Sequence, residues 1–356
     1  MPRAYKYRLY PTREQEEYFA KCFGCARFIY NKMLDDKIKH YKKTKQMLNN
    51  TPAQYKQDYP WLKEVDSLAL ANAQLYLQSA YRKFFKEKSV GFPRFKRKRN
   101  YNSYTTNNQK GTISIEHGFI KLPKLKTRVK LVIDREFSGV VKSATVSKTP
   151  TNKYFVSILV DEDIKRLPKS SNKIGIDVGI RDFAVPSKGD AINNPKWFRQ
   201  SEKRLAKLQR QLSKKKKGSK NREKARLKVA LLHEKIANQR NDFLHKLSTQ
   251  LINDNQVIVI EDLRVKNMLK NSKLSKAISE VSWSEFRRQL EYKANWYGRD
   301  IIVAPSNYAS SQLCSSCGHK NKAVKDLKVR NWTCPNCNTR HDRDINASKN
   351  LLKLAL

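Results

Sequence analysis

The chain has 356 residues, enough for two or three domains with cores of their own. Its 75 Lys and Arg against 32 Asp and Glu leave a net charge of +43, spread over the whole length rather than held in a tail. That excess implies a polyanionic partner such as nucleic acid, and excludes the balanced Glu/Lys surface typical of heat-resistant proteins. No apolar run reaches the ~18 residues of a membrane-spanning helix, and the opening "MPRAYKYRLYPTREQ" lacks an apolar signal stretch, so a cytoplasmic protein is expected.

In chain order, "AYKYRLY" alternates as a strand, and Thr12 with Gln15 forms a capping box for the helix that follows. That helix places Tyr18, Cys22, Cys25, Ile29 and Met33 on one stripe, which makes the two cysteines small core residues rather than ligands. A second helix, "SLALANAQLYLQSAYRKFF", aligns Leu70, Ala73, Leu77, Ala80 and Phe84. Next, in "GFPRFKRKRNYNSYTTNN", Arg94, Lys96, Arg97, Lys98 and Arg99 alternate with Phe92, Phe95, Tyr101 and Tyr104. Cations for phosphates beside aromatic faces for bases suit RNA, although a basic linker would read similarly.

Residues 111–160 read as β-strands with turns at His117-Gly118 and Pro150–Asn152, a small antiparallel barrel or sandwich that the first strand can join. Then "IGIDVGIRDFAV" gives two short strands, and residues 195–250 give a basic helical hairpin broken at "SKKKKGSKN", with Leu205, Leu208 and Leu212 on its first arm. "QVIVIEDL" is a buried strand ending in an acid. The helix "WSEFRRQLEYKANWYG", the strand "DIIVAP", a cysteine-rich run and the closing helix "INASKNLLKLAL" complete the chain.

Two constellations carry chemistry. Cys314-x2-Cys317 and Cys334-x2-Cys337, sixteen residues apart, have the spacing of a zinc ribbon. Four thiolates close the tetrahedral shell around one Zn2+, so this metal is structural, and His319 and His341 find no vacancy in it. Lys320, Lys322, Lys325, Lys328 and Arg330 between the pairs are candidates for nucleic-acid backbone contacts. The second constellation is Asp177, Glu261 and Asp344. Asp177 lies inside an apolar strand, where a lone charge is costly unless paired or bound to metal. Glu261 ends a buried strand, and Asp344 opens the last helix. An RNase H-like nuclease places its acids this way and holds two Mg2+ ions for in-line phosphodiester hydrolysis. Each acid also has a plainer reading: Asp342 or Asp344 as a helix N-cap, Glu261 as a solvated strand end.

With these residues in hand, the chain resembles the TnpB family of transposon-encoded RNA-guided nucleases, compact relatives of the type V CRISPR effectors. The likeness rests on "YKYRLYPTREQ", "FGCARFIYNKML", "GFPRFKRK", "GIDVGIRDFAV", "NDFLHKLS", "VIVIEDL", "WSEFRRQLEYKANWYG", "SSQLCSSCG" and "CPNCNTRHDRDINASKN" in family order. It implies an α/β plus β architecture. A RuvC-like (RNase H-like) nuclease domain would occupy residues 169–310 and 341–356, with a zinc ribbon inserted at 311–340. A wedge-like β-barrel would occupy 1–11 and 92–168, and a helical recognition domain 12–91. Asp177, Glu261 and Asp344 would be the catalytic, magnesium-binding acids. Asp344 is preferred to Asp342 because the family's acid stands two residues before the Asn of its closing motif, here Asn346. The implied partners are a guide RNA from the transposon end and target DNA beside a short motif, in a monomeric, nucleoid-associated prokaryotic ribonucleoprotein with no membrane. Ser348 and Leu351 depart mildly from the family pattern.

Other readings compete. A transposase could use the same carboxylates for strand transfer, an RNA-guided repressor would bind without cutting, and a basic zinc-ribbon RNA binder would need no DNA. A repressor is expected to lack one of the three acids, and the RNA binder leaves the buried Asp177 unexplained.

Overall fold

The structure is a computed structural model and describes residues 1–98 and 102–356. The chain folds as two compact units, Met1–Asp163 and Ile164–Leu356. Among the described residues, no helix is long and apolar enough to cross a membrane.

The first unit begins with β1 (Pro2–Tyr10), α1 (Arg13–Thr44), the short α2 (Tyr55–Asp58), a 3-10 turn (Pro60–Glu64) and α3 (Ser67–Lys86). Both halves of the capping box form: Gln15 N–H donates to Thr12 Oγ1, and Thr12 N–H donates to Gln15 Oε1. Strands β2 (Ser103–Asn107), β3 (Ser114–Glu116), β4 (Phe119–Lys121), β5 (Val129–Val132), β6 (Val140–Lys148) and β7 (Tyr154–Asp161) follow. They join β1 in a seven-stranded sheet of order β2-β6-β7-β1-β5-β4-β3, with every pair antiparallel. The β3–β4 hairpin turns on His117 and Gly118, both at positive φ, the geometry a two-residue hairpin needs.

The period-2 pattern of β1 turns Tyr5, Tyr7 and Leu9 inward, where they share one core with Phe19, Cys22, Ile29, Leu70 and Leu77 of the helices. Cys22 and Cys25 are buried in that core, and burial pushes their thiols up to about 12 and about 11. They are packing residues. Ala80 and Phe84 at the end of α3 are only half-buried.

Strand β2, "SYTTN", is polar and carries no apolar alternation that would mark it in the sequence. Its burial is built from hydroxyls: Thr105 Oγ1 pairs with Thr145 Oγ1 at 2.8 Å, and Thr106 Oγ1 donates to Asp66. Tyr104, read as a face for bases, is instead core.

The second unit runs β8 (Lys173–Val178), β9 (Asp182–Pro186), β10 (Ile192–Asn193), α4 (Trp197–Ser213), α5 (Lys220–Asp254), β11 (Val257–Ile260), α6 (Val265–Met268), α7 (Ser275–Val281), α8 (Trp283–Tyr297) and β12 (Asp300–Val303). A second 3-10 turn (Lys322–Lys325), the hairpin of β13 (Asn331–Thr333) and β14 (Arg340–Asp342), and α9 (Arg343–Lys353) complete it. Its sheet has the order β10-β9-β8-β11-β12, with β11 parallel to both β8 and β12.

Helices cover both faces of this sheet, which explains the unbroken apolar run of β11. Ile258 and Ile260 pack with Leu244, Leu251, Phe286 and Leu290 of α5 and α8, whereas Val259 packs with Leu351 of α9. Leu205 of α4 meets Leu232 and Ile236 of α5, closing the basic hairpin on its own small core. The approach of α9 to β8 is close: a Cβ on Gly175 would lie 2.2 Å from Ser348 O and 2.5 Å from Leu352 N.

Candidate active site and metal centre

The parallel register pairs Ile176 of β8 with Ile260 of β11, so Asp177 and Glu261 are the next residues on adjacent strands. Both leave the carboxyl ends of the sheet, the edge where α/β sheets place their sites. Helix α9 crosses the same sheet and brings Asp344 in its first turn to that edge. The three acids line one cavity of about 250 Å3 together with Arg181, Arg330 and Arg343.

The acids stand in an unfavourable field. Burial, then the charges of Glu261 and Asp344, hold the Asp177 carboxyl well above the usual range, against partial relief from Arg343 and Arg330. Burial also raises Glu261, opposed by a hydrogen bond from Ser310 and by Arg343. Ser310 Oγ donates to Glu261 Oε1 at 2.5 Å. Arg330 Nη1 reaches both Asp344 oxygens at 3.1 and 3.2 Å, and Arg181 Nη2 lies 3.6 Å from Oδ2.

Asp342 and Asp344 divide the work at the helix start. Asp342 is the N-cap and accepts from the N–H groups of Asp344 and Ile345 at 2.9 and 3.0 Å. Asp344 is left to face the cavity.

Beside this edge the Sγ atoms of Cys314, Cys317, Cys334 and Cys337 lie within 4.8 Å of one another. Two sulfur pairs, Cys314–Cys337 and Cys317–Cys334, are 3.6 Å apart. A zinc ion bound at ~2.3 Å by four thiolates sets sulfur–sulfur edges of about 3.8 Å, so the donor set and its spacing fit that metal. His341 Nε2 sits 3.0 Å from Cys314 Sγ, and the His341 ring packs on Trp332, centroids 4.8 Å apart. His341 therefore supports the sulfur cluster from outside it.

Comparisons with known proteins agree over the whole length. Family models match at residues 1–46 (helix-turn-helix domain), 155–272 ("Probable transposase") and 283–351 (Cas12f1-like, TNB domain). A Streptomyces pristinaespiralis protein named "Putative RNA-guided DNA endonuclease" is 39% identical over 99% of this chain and 89% of its own length. The chain belongs to the TnpB family. The Escherichia coli K12 relative, "Putative RNA-guided DNA endonuclease InsQ", is 34% identical over 98% of this chain and 91% of its own length. The "TnpB-like protein L770" of Acanthamoeba polyphaga mimivirus is 24% identical over 99% and 73%. The fold matches a Cas12f1 chain solved as a Cas12f1–sgRNA–target DNA complex, with TM-score 0.63 and 19% identity over 96% of this chain and 83% of that one.

In this TnpB-family chain, the basic segment before the sheet divides. Arg94, Arg97 and Lys98 are exposed, while Arg99 and Tyr101 lie outside the described residues. Lys96 turns inward: its Nζ lies 4.1 Å from the Tyr30 ring centroid and 5.4 Å from that of Tyr76, and its backbone exchanges hydrogen bonds with Asn31. Desolvation holds the Lys96 ammonium below its ordinary range. Arg330, read as a candidate contact for nucleic-acid backbone, donates to Asp344. Ser310 and Arg181, in loops, and Arg343, at the start of α9, were missed, because single polar residues carry no periodicity.

Proposed function

We propose that the chain is an RNA-guided DNA endonuclease of a transposable element. The observation that carries this reading is the convergence of Asp177, Glu261 and Asp344, from three distant segments, on one cavity of a TnpB-family fold. In this reading residues 169–310 and 341–356 are the RuvC-like nuclease, 311–340 the target-contacting zinc ribbon, 12–91 the recognition helices, and 1–11 with 92–168 the wedge-like sheet.

The acids offer hard oxygen ligands of the kind Mg2+ takes, and their mutual repulsion supports a cation among them. Bound Mg2+ would supply nucleophile activation and charge stabilisation for in-line phosphodiester hydrolysis. The chain's own residues position the ligands. Asp177 and Glu261 are fixed on the sheet, Ser310 orients Glu261, and Arg330 with Arg181 holds Asp344. Cys314, Cys317, Cys334 and Cys337 would hold one Zn2+ with no open coordination position, a site that would shape the fold rather than activate water.

A guide RNA from the transposon end would read the target by base pairing, leaving the protein to hold nucleic-acid backbones beside a short motif. The charge of +43 suits that task. A monomeric complex in the cytoplasm, associated with the nucleoid, is part of this reading. No observation favours strand transfer, and the complete set of acids argues against a repressor.

The test is co-expression with the transposon flank, sequencing of bound RNA, and challenge of the complex with a plasmid library randomised beside the target. We expect a co-purifying RNA and cleavage next to one motif, abolished by Asp177→Ala and by chelation of divalent ions. Absence of RNA would refute the guide, and cleavage surviving Asp177→Ala would refute the metal mechanism.

A further inference from the structure

A second cavity, of about 180 Å3, adjoins the acid cavity and shares three wall residues with it: Val178, Glu261 and Trp283. Its remaining lining is mostly apolar, including Leu263, Val265 and Phe286. At this size it falls below the roughly 300–1,000 Å3 of pockets that take drug-sized ligands, and suits one ring system rather than a whole nucleotide.

The charges at its rim are already matched. Arg287 donates to Asp262 and to Glu291, each at 2.8 Å, and Arg288 donates to Glu285 at 2.8 and 2.7 Å. A cavity neutralised in this way discriminates against a second phosphate and favours an uncharged planar ligand. Trp283, buried to 5% exposure, forms part of the wall common to both cavities. Aromatic and apolar walls are how proteins receive a base taken out of its stack.

We propose that this cavity is a base subsite for the nucleotide flanking the scissile phosphodiester. The inference rests on the endonuclease reading: with the phosphate at Asp177, Glu261 and Asp344, the neighbouring base enters between Trp283 and Val265. Glu261 belongs to both cavities, so occupancy of one positions the substrate in the other. Cutting would then require the strand to be unpaired at the flanking nucleotide.

The test uses the guide-RNA complex and its cognate DNA, with a single abasic residue placed in turn at each position around the cut. We expect one position next to the cut to slow cleavage at least tenfold, with the others within about twofold of intact DNA. Val265→Phe, which fills the cavity, should slow cleavage of intact DNA to a similar degree and abolish the abasic penalty, with DNA binding unchanged. A flat abasic scan in the wild type would overturn the subsite while leaving the endonuclease reading intact, whether or not Val265→Phe folds. Full activity and retained abasic sensitivity in Val265→Phe would also overturn it. Failure of the wild type to cut intact DNA would overturn the endonuclease reading, and the subsite with it.

Discussion

The Ser315 backbone N–H donates to Asn346 Oδ1 at 2.8 Å, joining the first cysteine knuckle to the helix that carries Asp344. Asn346 Nδ2 returns to Leu313 O at 2.6 Å, and Asn350 Nδ2 reaches Leu313 O and Ser310 O at 2.6 and 2.8 Å. Ser310 in turn holds Glu261. The cysteine cluster, the last helix and the strand-end acid are thus one hydrogen-bonded assembly. This is why the motif "RDINASKN" contains two asparagines four residues apart on one helix face.

Loss of the cluster should therefore reach the acids. Cys334→Ser is expected to abolish zinc binding, to lower hydrogen-exchange protection over residues 314–350, and to reduce cleavage. Asn346→Ala, which leaves Ser315 N–H unpaired while Leu313 C=O keeps its bond from Asn350, should cost about 1–3 kcal/mol for the orphaned group in denaturant unfolding. A Cys334→Ser protein free of zinc yet fully stable and active would disprove the coupling.

Gly175 is the second joint. Its hydrogen atom faces the backbone of α9, and an added methyl would collide with Ser348 O and Leu352 N, neither of which can rotate away. Gly175→Ala should push α9 off β8 at a cost of about 1–3 kcal/mol. Displacement of Asp344 by ~1 Å would cost on the order of 100-fold in rate. Single-turnover cleavage at saturating DNA measures the effect, and an unchanged rate would show that the docking of α9 does not set the position of Asp344.

Much of this arrangement was legible in the sequence, for identifiable reasons. The β1 strand, the capped α1 and the basic hairpin announce themselves by period and cap. Asp177 and Glu261 stand out as charges at the ends of apolar runs, and the cysteine spacing marks the cluster. Other features were not legible. Strand β2 is buried through threonine hydroxyls, which mimic a loop in composition. Lys96 sits in a basic run whose other described cations are exposed, and its contacts with Tyr30 and Tyr76 distinguish it. Arg330 lies fourteen residues before Asp344, and only the β13–β14 hairpin brings the two together.

Lys96 and its neighbours should separate by salt. Arg94→Ala, Arg97→Ala and Lys98→Ala should each weaken nucleic-acid binding and reduce the slope of log affinity against log salt by ~1 if the side chain meets a phosphate. Lys96→Met should leave that slope unchanged and lower thermal stability, since cation–π contacts of this kind contribute about 0.5–2 kcal/mol. Filter binding across a salt series, with a melting curve for each variant, distinguishes the two classes. A slope change for Lys96→Met would mean that its ammonium leaves the tyrosines to meet nucleic acid.

The strain among the acids predicts an unusual mutant. An acid with a raised folded pKa binds its proton more tightly in the folded protein than in the unfolded chain. Stability is therefore greatest below the unfolded value and is lost as pH rises through the folded one. For Asp177 the loss begins above about pH 4 and continues to the raised folded value. Without added divalent ions, Asp177→Asn should melt with the wild type near pH 4 and above it at pH 7–8. Each kcal/mol of that gap is worth about 2–4 °C for a unit of this size. Added Mg2+ should raise the melting temperature of the wild type and close the gap, because a bound cation relieves the repulsion that the amide removes. Equal melting temperatures across the pH range, or a Mg2+ shift as large in Asp177→Asn as in the wild type, would mean that the three carboxylates do not form one electrostatic site.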